Sequence, residues 1–285
     1  MKLGFRFWFA FYMKYKDAWS HKVHTPEAME AIDARYDLDD PVQKQEYDTQ
    51  YMCDWNAGHT VGQPYVGAVT AAEEEGRVYP FTIDRMHPVG TAWDDGRGVT
   101  AVWFYQLVNY QPRVIHFFKI EKGSLEEAAR ECLKFYAKHN LHHGVHVLPH
   151  TMAEHDYIYQ EKISREAALR RFFRNQGEYA MVPKVDSIDT KLLAGQQFIP
   201  QCLFRDCADI RPGLESLMLY ARKETSSGSN KYTKQIADNG HDHAGDAFGE
   251  LALAFNSGEV QAKLNNLLIK TNYFYGPQQN LLHPY

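Results

Sequence analysis

The sequence predicts an α/β protein built on a central mixed sheet, an antiparallel meander plus parallel strands, flanked by helices. Two observations carry that prediction. From residue 88 come three consecutive strand-like runs, PVGTAW, TAVWFYQLV and RVIHFFKI, rich in Val, Ile, Phe, Tyr and Trp and separated by the turn signals DDGRG and NYQP. A helical stretch follows, and then a fourth strand-like run, HGVHVLP, at 143–149. The second and third runs are apolar on both alternating faces, which calls for a sheet covered on both sides.

With 285 residues, 44% of them apolar, the chain can fill a sizeable core. Residues 1–60 form a lead segment with at least one helix, in which Thr25 caps and Pro26 takes the first helical position. Residues 61–270 form the main domain and 271–285 a tail. After the meander, Ser124 and Glu127 make a capping box, and Leu125, Ala128, Ala129, Cys132, Leu133 and Tyr136 recur at helical spacing. That helix crosses back over the sheet, so the fourth strand lies parallel to one of the meander strands. Further helices are predicted near 164–175, 187–196, 212–223 and 243–256, with short strands at 178–183 and 200–205. The stretch KETSSGSNKYTKQ at 223–235 reads as a mobile loop or a loose hairpin. Three antiparallel strands, a helix, a parallel fourth strand and later helices is the order of an RNase H-like fold.

Composition narrows the function classes. The longest apolar run near the start, FWFAFYM at 7–13, is far short of the roughly 20 residues that span a bilayer, and no small-residue cleavage site follows it. Neither a membrane segment nor a signal peptide is expected. Cys53, Cys132, Cys202 and Cys207 form no CxxC pair, which suits free packing thiols in a reducing cytoplasm. The net charge is -5, yet residues 161–235 hold thirteen Lys and Arg against nine Asp and Glu. That split suits an acidic site beside a basic track, and equally a solvated surface.

Two aspartates stand out. Strand alternation puts Val89, Thr91 and Trp93 on one face and Gly90, Ala92 and Asp94 on the other. Asp94 therefore ends the first strand beside two small residues, where another backbone can approach closely; as a bland alternative, it forms the following turn. In GHDHAGDAFGELALAF at 240–255, Phe248, Leu251, Ala252 and Phe255 make the apolar stripe and Asp246 lies opposite it. A first-turn acid favoured by the helix dipole, with Asp242 as N-cap, accounts for Asp246 but leaves His243, one turn earlier on the same side, without a role. His241, His243 and the group His142, His143, His146, His150 and His155 do not read as a zinc site, because no cysteine stands beside a histidine pair in a zinc-binding spacing. Asp94 and Asp246 together suit hard divalent cations. Two bare carboxylates about 4 Å apart repel by roughly 4 kcal/mol at an intermediate dielectric, and oxygen ligands select magnesium or manganese over zinc. Two such ions activate a water and stabilise the leaving oxygen of a phosphodiester.

At this point the motifs resemble the C-terminal nuclease domain of the large terminase subunit of tailed bacteriophages. QEYDTQYMCDWNAG with PYVGAVTAAEEEGRVYPF resembles the family's opening segment, PVGTAWDDGRGVTAVWFYQ its first acidic strand and hairpin, HVLPH its fourth strand, and DHAGDAF its terminal SHxxDAF-type helix. FIPQCLFRD and LESLMLYARKE resemble the stretch between them. The resemblance implies an RNase H-like endonuclease, dependent on Mg2+ or Mn2+ with two ions, that cuts concatemeric double-stranded viral DNA during packaging in the host cytoplasm. It implies Asp94 and Asp246 as metal ligands and His243 as a group that orients a water or touches the scissile phosphate. Its partners would be DNA, the small terminase subunit, the portal and a packaging ATPase domain, whose end the lead segment resembles. Two departures matter. Thr151 stands where the family places an aspartate, so Glu154 or, preferred, Asp156 would complete the metal site. No GxxxxGK[ST] loop is present, so no ATP binding is expected. Arg170, Arg171, Arg174, Lys231 and Lys234 are the candidate contacts to DNA phosphates. The rival readings are another RNase H-like nuclease of the resolvase or integrase type, and a non-catalytic module that docks DNA or the portal.

Overall fold

A computed structural model describes residues 26–38, Tyr47, 62–96, 98–153, 155–158, 161–224 and 232–274. In chain order come α1 (Pro26–Asp33), α2 (Val66–Glu74), β1 (Val78–Tyr79), β2 (Val89–Gly96), β3 (Val99–Val108), β4 (Gln111–Glu121), α3 (Leu125–His139) and β5 (His143–Pro149). They are followed by β6 (His155–Ile158), β7 (Glu161–Ser164), α4 (Arg165–Phe172), β8 (Glu178–Val182), α5 (Ile188–Phe198) and β9 (Leu203–Arg205). The last are α6 (Arg211–Leu219), β10 (Arg222–Glu224), β11 (Tyr232–Ile236), α7 (Asp242–Asn256) and α8 (Glu259–Phe274).

A seven-stranded sheet runs in the order β1-β9-β4-β3-β2-β5-β8. The meander β2-β3-β4 is antiparallel, while β5 lies parallel to β2 and β8 parallel to β5. With α3 between β4 and β5, this is the RNase H-like arrangement that the order of elements predicts. On one face α3 and α4 cover Val89, Trp93, Phe104 and Leu148; on the other, α5, α6 and α7 cover Ala92, Ala101, Trp103 and Val147. Covered on both sides, β3 is buried along nearly its whole length, whereas β4 alternates and is only half-buried toward its end.

Local chemistry accounts for the helix that seats this sheet. Ser124 and Glu127 form the expected capping box on α3, and Asn140 closes the helix at a left-handed φ of 52°. Its inner face is Leu125, Ala128, Ala129, Cys132, Phe135 and Tyr136; Leu133 is only half-buried and Phe135 takes the inward place. The Tyr136 hydroxyl donates to the Val89 carbonyl at 2.7 Å, tying the helix to the start of β2.

Several boundaries differ from the sequence pattern. β2 does not end at Asp94 but continues to Gly96, with Asp94 paired to Ala101 and Gly96 to Val99. The turn signals therefore begin inside the strand. The helix near 212–223 stops at Leu219, because Tyr220 turns extended and the chain enters a hairpin, β10 with β11. The helix near 164–175 stops at Phe172, and Arg174 and Asn175 adopt left-handed backbone at φ 53° and 57°. Gly90 faces not a backbone from another element alone but also the Tyr105 ring, which an added Cβ would meet at 2.4 Å. Cys132, Cys202 and Cys207 are free thiols, the first two buried, while Cys53 and Thr25 lie outside the described residues. Among the described residues no helix is long and apolar enough to cross a membrane.

Candidate active site

Alternation along β2 sends Thr91 and Trp93 into the α3 side and Ala92 and Asp94 toward α7. The first turns of α7 dock onto that second face. Trp103 donates its indole N–H to the Ala244 carbonyl at 2.8 Å, Lys119 Nζ reaches the Gly240 carbonyl at 2.9 Å, and His241 Nδ1 lies 3.2 Å from Ser216 Oγ. Contacts from three elements thus fix where the helix begins. His241, not Asp242, occupies the N-cap position and makes no side-chain cap bond, so Asp242 is the first helical residue and points inward.

The docking brings together residues 149 positions apart: His243 Nδ1 and Asp94 Oδ2 are 2.6 Å from each other. Nε2 of the same imidazole lies 3.9 Å from Asp242 Oδ2. One turn along α7, Asp246 Oδ1 accepts from the Tyr220 hydroxyl at 2.9 Å and from Lys191 Nζ at 3.3 Å. The same ammonium is 2.7 Å from Glu250 Oε1. Asp94, Asp242, Asp246 and Glu250 therefore line one partly buried place, with His243 and Lys191 between them.

The electrostatics follow from that crowding. Burial raises the Asp94 pKa, Asp246 adds to the rise, and the bond from His243 opposes it. The bond to Asp94 raises the His243 pKa against the cost of its burial. Glu250 is raised by burial, with Lys191 pulling the other way. Burial works against the Lys191 ammonium, but Asp246, Glu250 and Asp94 outweigh it and hold the proton on.

Asp94 and Asp246 each commit one oxygen, leaving Asp94 Oδ1 and Asp246 Oδ2 without a hydrogen bond among the described residues. A buried Asp242 oxygen, Oδ1, is also without a partner. Such hard oxygen donors fit a divalent cation of the magnesium class. Among the described residues, however, no three His, Cys, Asp or Glu side chains converge as a ready-made metal cage. Ala92 pairs with Val147 in parallel register, so β2 and β5 leave the sheet on the same side and Thr151 follows at the site's end. Glu154 and the side chain of Asp156 lie outside the described residues.

The basic candidates on α4 are separate from this place. α4 packs through Ala168 and Leu169 on the α3 side of the sheet. Arg170 is engaged there by Glu166 at 2.7 Å and by the Tyr179 ring at 4.0 Å, while Arg171 and Arg174 are exposed. The helix start does reach the site's rim, where Arg165 donates to the Asp95 carbonyl at 3.0 Å. Lys231 and the side chain of Lys234 lie outside the described residues. Sequence reasoning missed Lys191, Tyr220 and Glu250. Only Glu250 carried a local signal, since it stands four residues after Asp246 on the same helical side.

Solved structures similar to this chain include phage large terminases. The large terminase of a thermophilic bacteriophage in complex with ADP superposes with a TM-score of 0.46 at 15% identity, covering 67% of this chain and 44% of that one. The large terminase nuclease of the thermophilic phage G20c with bound magnesium gives 0.41 at 10% identity, covering 61% of this chain and 90% of that one. The P22 large terminase nuclease domain gives 0.42 at 16%, covering 67% and 90%. The chain thus spans under half the length of the ADP-bound terminase and most of the two nuclease structures. No family model and no curated protein sequence matches the chain.

Proposed function

We propose that the chain is a metal-dependent endonuclease of the phage large terminase type, cutting double-stranded DNA in genome packaging. The observation that carries the reading is the meeting of Asp94 with His243, next to Asp246, through the docking of α7 on β2. A divalent cation held by Asp94 and Asp246 would supply water activation and neutralise charge on the leaving oxygen. The chain's own groups do the rest. His243 locks Asp94 in one rotamer, and Tyr220 and Lys191 do the same for Asp246, so both ligands are aimed before an ion arrives. Asp156, preferred to Glu154, is the candidate for a third acid. Exposed Arg171 and Arg174, with Lys231 and Lys234, would carry the duplex by its phosphates, and Arg170 would contribute through its neighbours. A small terminase subunit, a portal and a packaging ATPase in the host cytoplasm are the partners this role requires.

The test is nicking of supercoiled plasmid with manganese. Asp94→Asn and Asp246→Asn should each reduce the rate by at least about 100-fold, more than the loss of a residue that merely orients a ligand. Full activity in either variant removes that residue from the site. One observation favours the non-catalytic docking module instead: the Lys191 ammonium already lies on Asp246. Duplex binding with no cutting by the wild-type chain at any manganese concentration would establish that rival.

A further inference from the structure

We propose that Lys191 is a built-in cation of the site, standing beside Asp246 where a second divalent ion would otherwise sit, so that the chain takes one ion and not two. This rests on the nuclease reading and concerns its metal count. Packing places the ammonium: the Lys191 stem crosses α7 at Gly249, where an added Cβ would meet Lys191 Cγ at 2.4 Å. From there Nζ reaches Glu250 Oε1 at 2.7 Å and Asp246 Oδ1 at 3.3 Å, with the lysine side chain 13% exposed and that of Glu250 6%.

A lysine with access to water gains little from an exposed ion pair, but this one is withdrawn from solvent and faces two acids one helical turn apart. Without a cation between them, those two carboxylates would repel each other. Charge balance gives the same count. Asp94, Asp246 and Glu250 bring three negative charges and Lys191 one positive, which leaves two for a single divalent ion to cancel; a second ion would overshoot. Counting the Asp242 carboxylate, 3.9 Å from His243 Nε2, leaves three negative charges, and a second divalent ion would still overshoot. Among the described residues that follow β5, Thr151 brings a hydroxyl and no carboxylate.

The experiment counts manganese on the full chain without DNA, by paramagnetic resonance of the free ion and by calorimetry. One ion per wild-type chain is expected, and none in Asp94→Asn. Lys191→Met keeps the stem and drops the charge; it should bind a second ion and show a melting temperature that rises more steeply with manganese than the wild type's. Lys191→Arg should keep one. Two ions on the wild-type chain overturn the proposal, and so does a Lys191→Met variant with wild-type stoichiometry and melting. Should Lys191→Met not fold, the wild-type count decides by itself. A wild-type chain that binds no manganese sinks both the inference and the metal-nuclease reading, whereas one bound ion without plasmid nicking sinks the latter alone.

Discussion

His243 spends one ring nitrogen on Asp94, and that commitment decides what the imidazole can do. With Nδ1 at 2.6 Å from Asp94 Oδ2, the ring holds the carboxylate and has only Nε2 left for a water or a phosphate. Its first effect is therefore on the aim of Asp94. His243→Ala should slow manganese-supported nicking by about 10- to 100-fold and weaken manganese binding, while His243→Gln, which keeps a donor, should recover part of both. A His243→Ala chain that binds manganese as tightly as the wild type would contradict this positioning role. Asp94, Asp246 and His243 were legible in the sequence because each sits inside a local pattern, a strand alternation or a helix first turn. Lys191 and Tyr220 were not. Lys191 precedes the buried Leu192 in what reads as an ordinary amphipathic helix, and Tyr220 stands at a helix end. Only the packing of α5 and α6 against α7 turns them toward Asp246, and that is a tertiary fact.

At the scale of elements, α7 is unusual in how little of it faces water. Ala244, Gly245, Ala247, Phe248, Gly249, Glu250, Leu251, Ala252 and Ala254 are all buried, so the stripe read from Phe248, Leu251 and Ala252 is only part of the buried surface. Small residues let neighbours press in on the other sides. At Gly245 an added Cβ would meet the buried Tyr220 ring at 2.2 Å. Two effects then oppose each other in Gly245→Ala. Helix propensity favours alanine by up to about 1 kcal/mol, and overpacking against a ring with nowhere to move costs typically about 1–3 kcal/mol. Overpacking should win, giving a chain less stable by about 1–2 kcal/mol in denaturant unfolding, with Tyr220 displaced from Asp246. A more stable Gly245→Ala chain would show that Tyr220 does not pack there. The meander and α3 were legible because long apolar runs, turn residues and a capping box agree with one another. β9 lies within the short strand expected at 200–205 and β10 pairs with β11 as the hairpin expected near 223–235, whereas the two-residue β1 is too short for any periodicity; which strands β1 and β9 join is decided by their neighbours in the sheet.

For the whole molecule, the two cores on either side of the sheet differ in chemistry. The α3 side holds a buried polar line: Trp93 Nε1 donates to Thr91 Oγ1 at 2.6 Å, Thr91 Oγ1 lies 2.7 Å from His146 Nδ1, and His146 Nε2 lies 3.2 Å from His143 Nδ1. His143 in turn stacks on Tyr136 at 3.9 Å. Burial drives the His143 pKa down to about 4, with His142 adding to the effect, and drives His146 well below the usual imidazole range, with His143 and Arg170 adding to it. On β4, where its ring stacks on Phe135 of α3, burial also brings His116 to about 4, against an opposing pull from Asp209. All three are neutral in the folded chain at neutral pH, while in the unfolded chain they take up protons below about pH 6.5. The sign follows from linkage. Their contribution to stability is complete above about pH 6.5, is lost as the pH falls through 6.5 toward 4, and for His143 and His116 changes no further below that. Each histidine can remove up to about 1.4 kcal/mol per pH unit in that window, so three acting together make acidification costly well before the carboxylates protonate. The melting temperature should therefore fall steadily from pH 7 to pH 5. His143→Phe, which keeps the stack on Tyr136 and cannot titrate, should start lower through its lost bond to His146 but decline less steeply over the same interval. A wild-type melting temperature that stays flat from pH 7 to 5, or an unchanged slope in His143→Phe, would mean that these imidazoles carry protons in the folded chain and that the polar line behind β2 is not neutral.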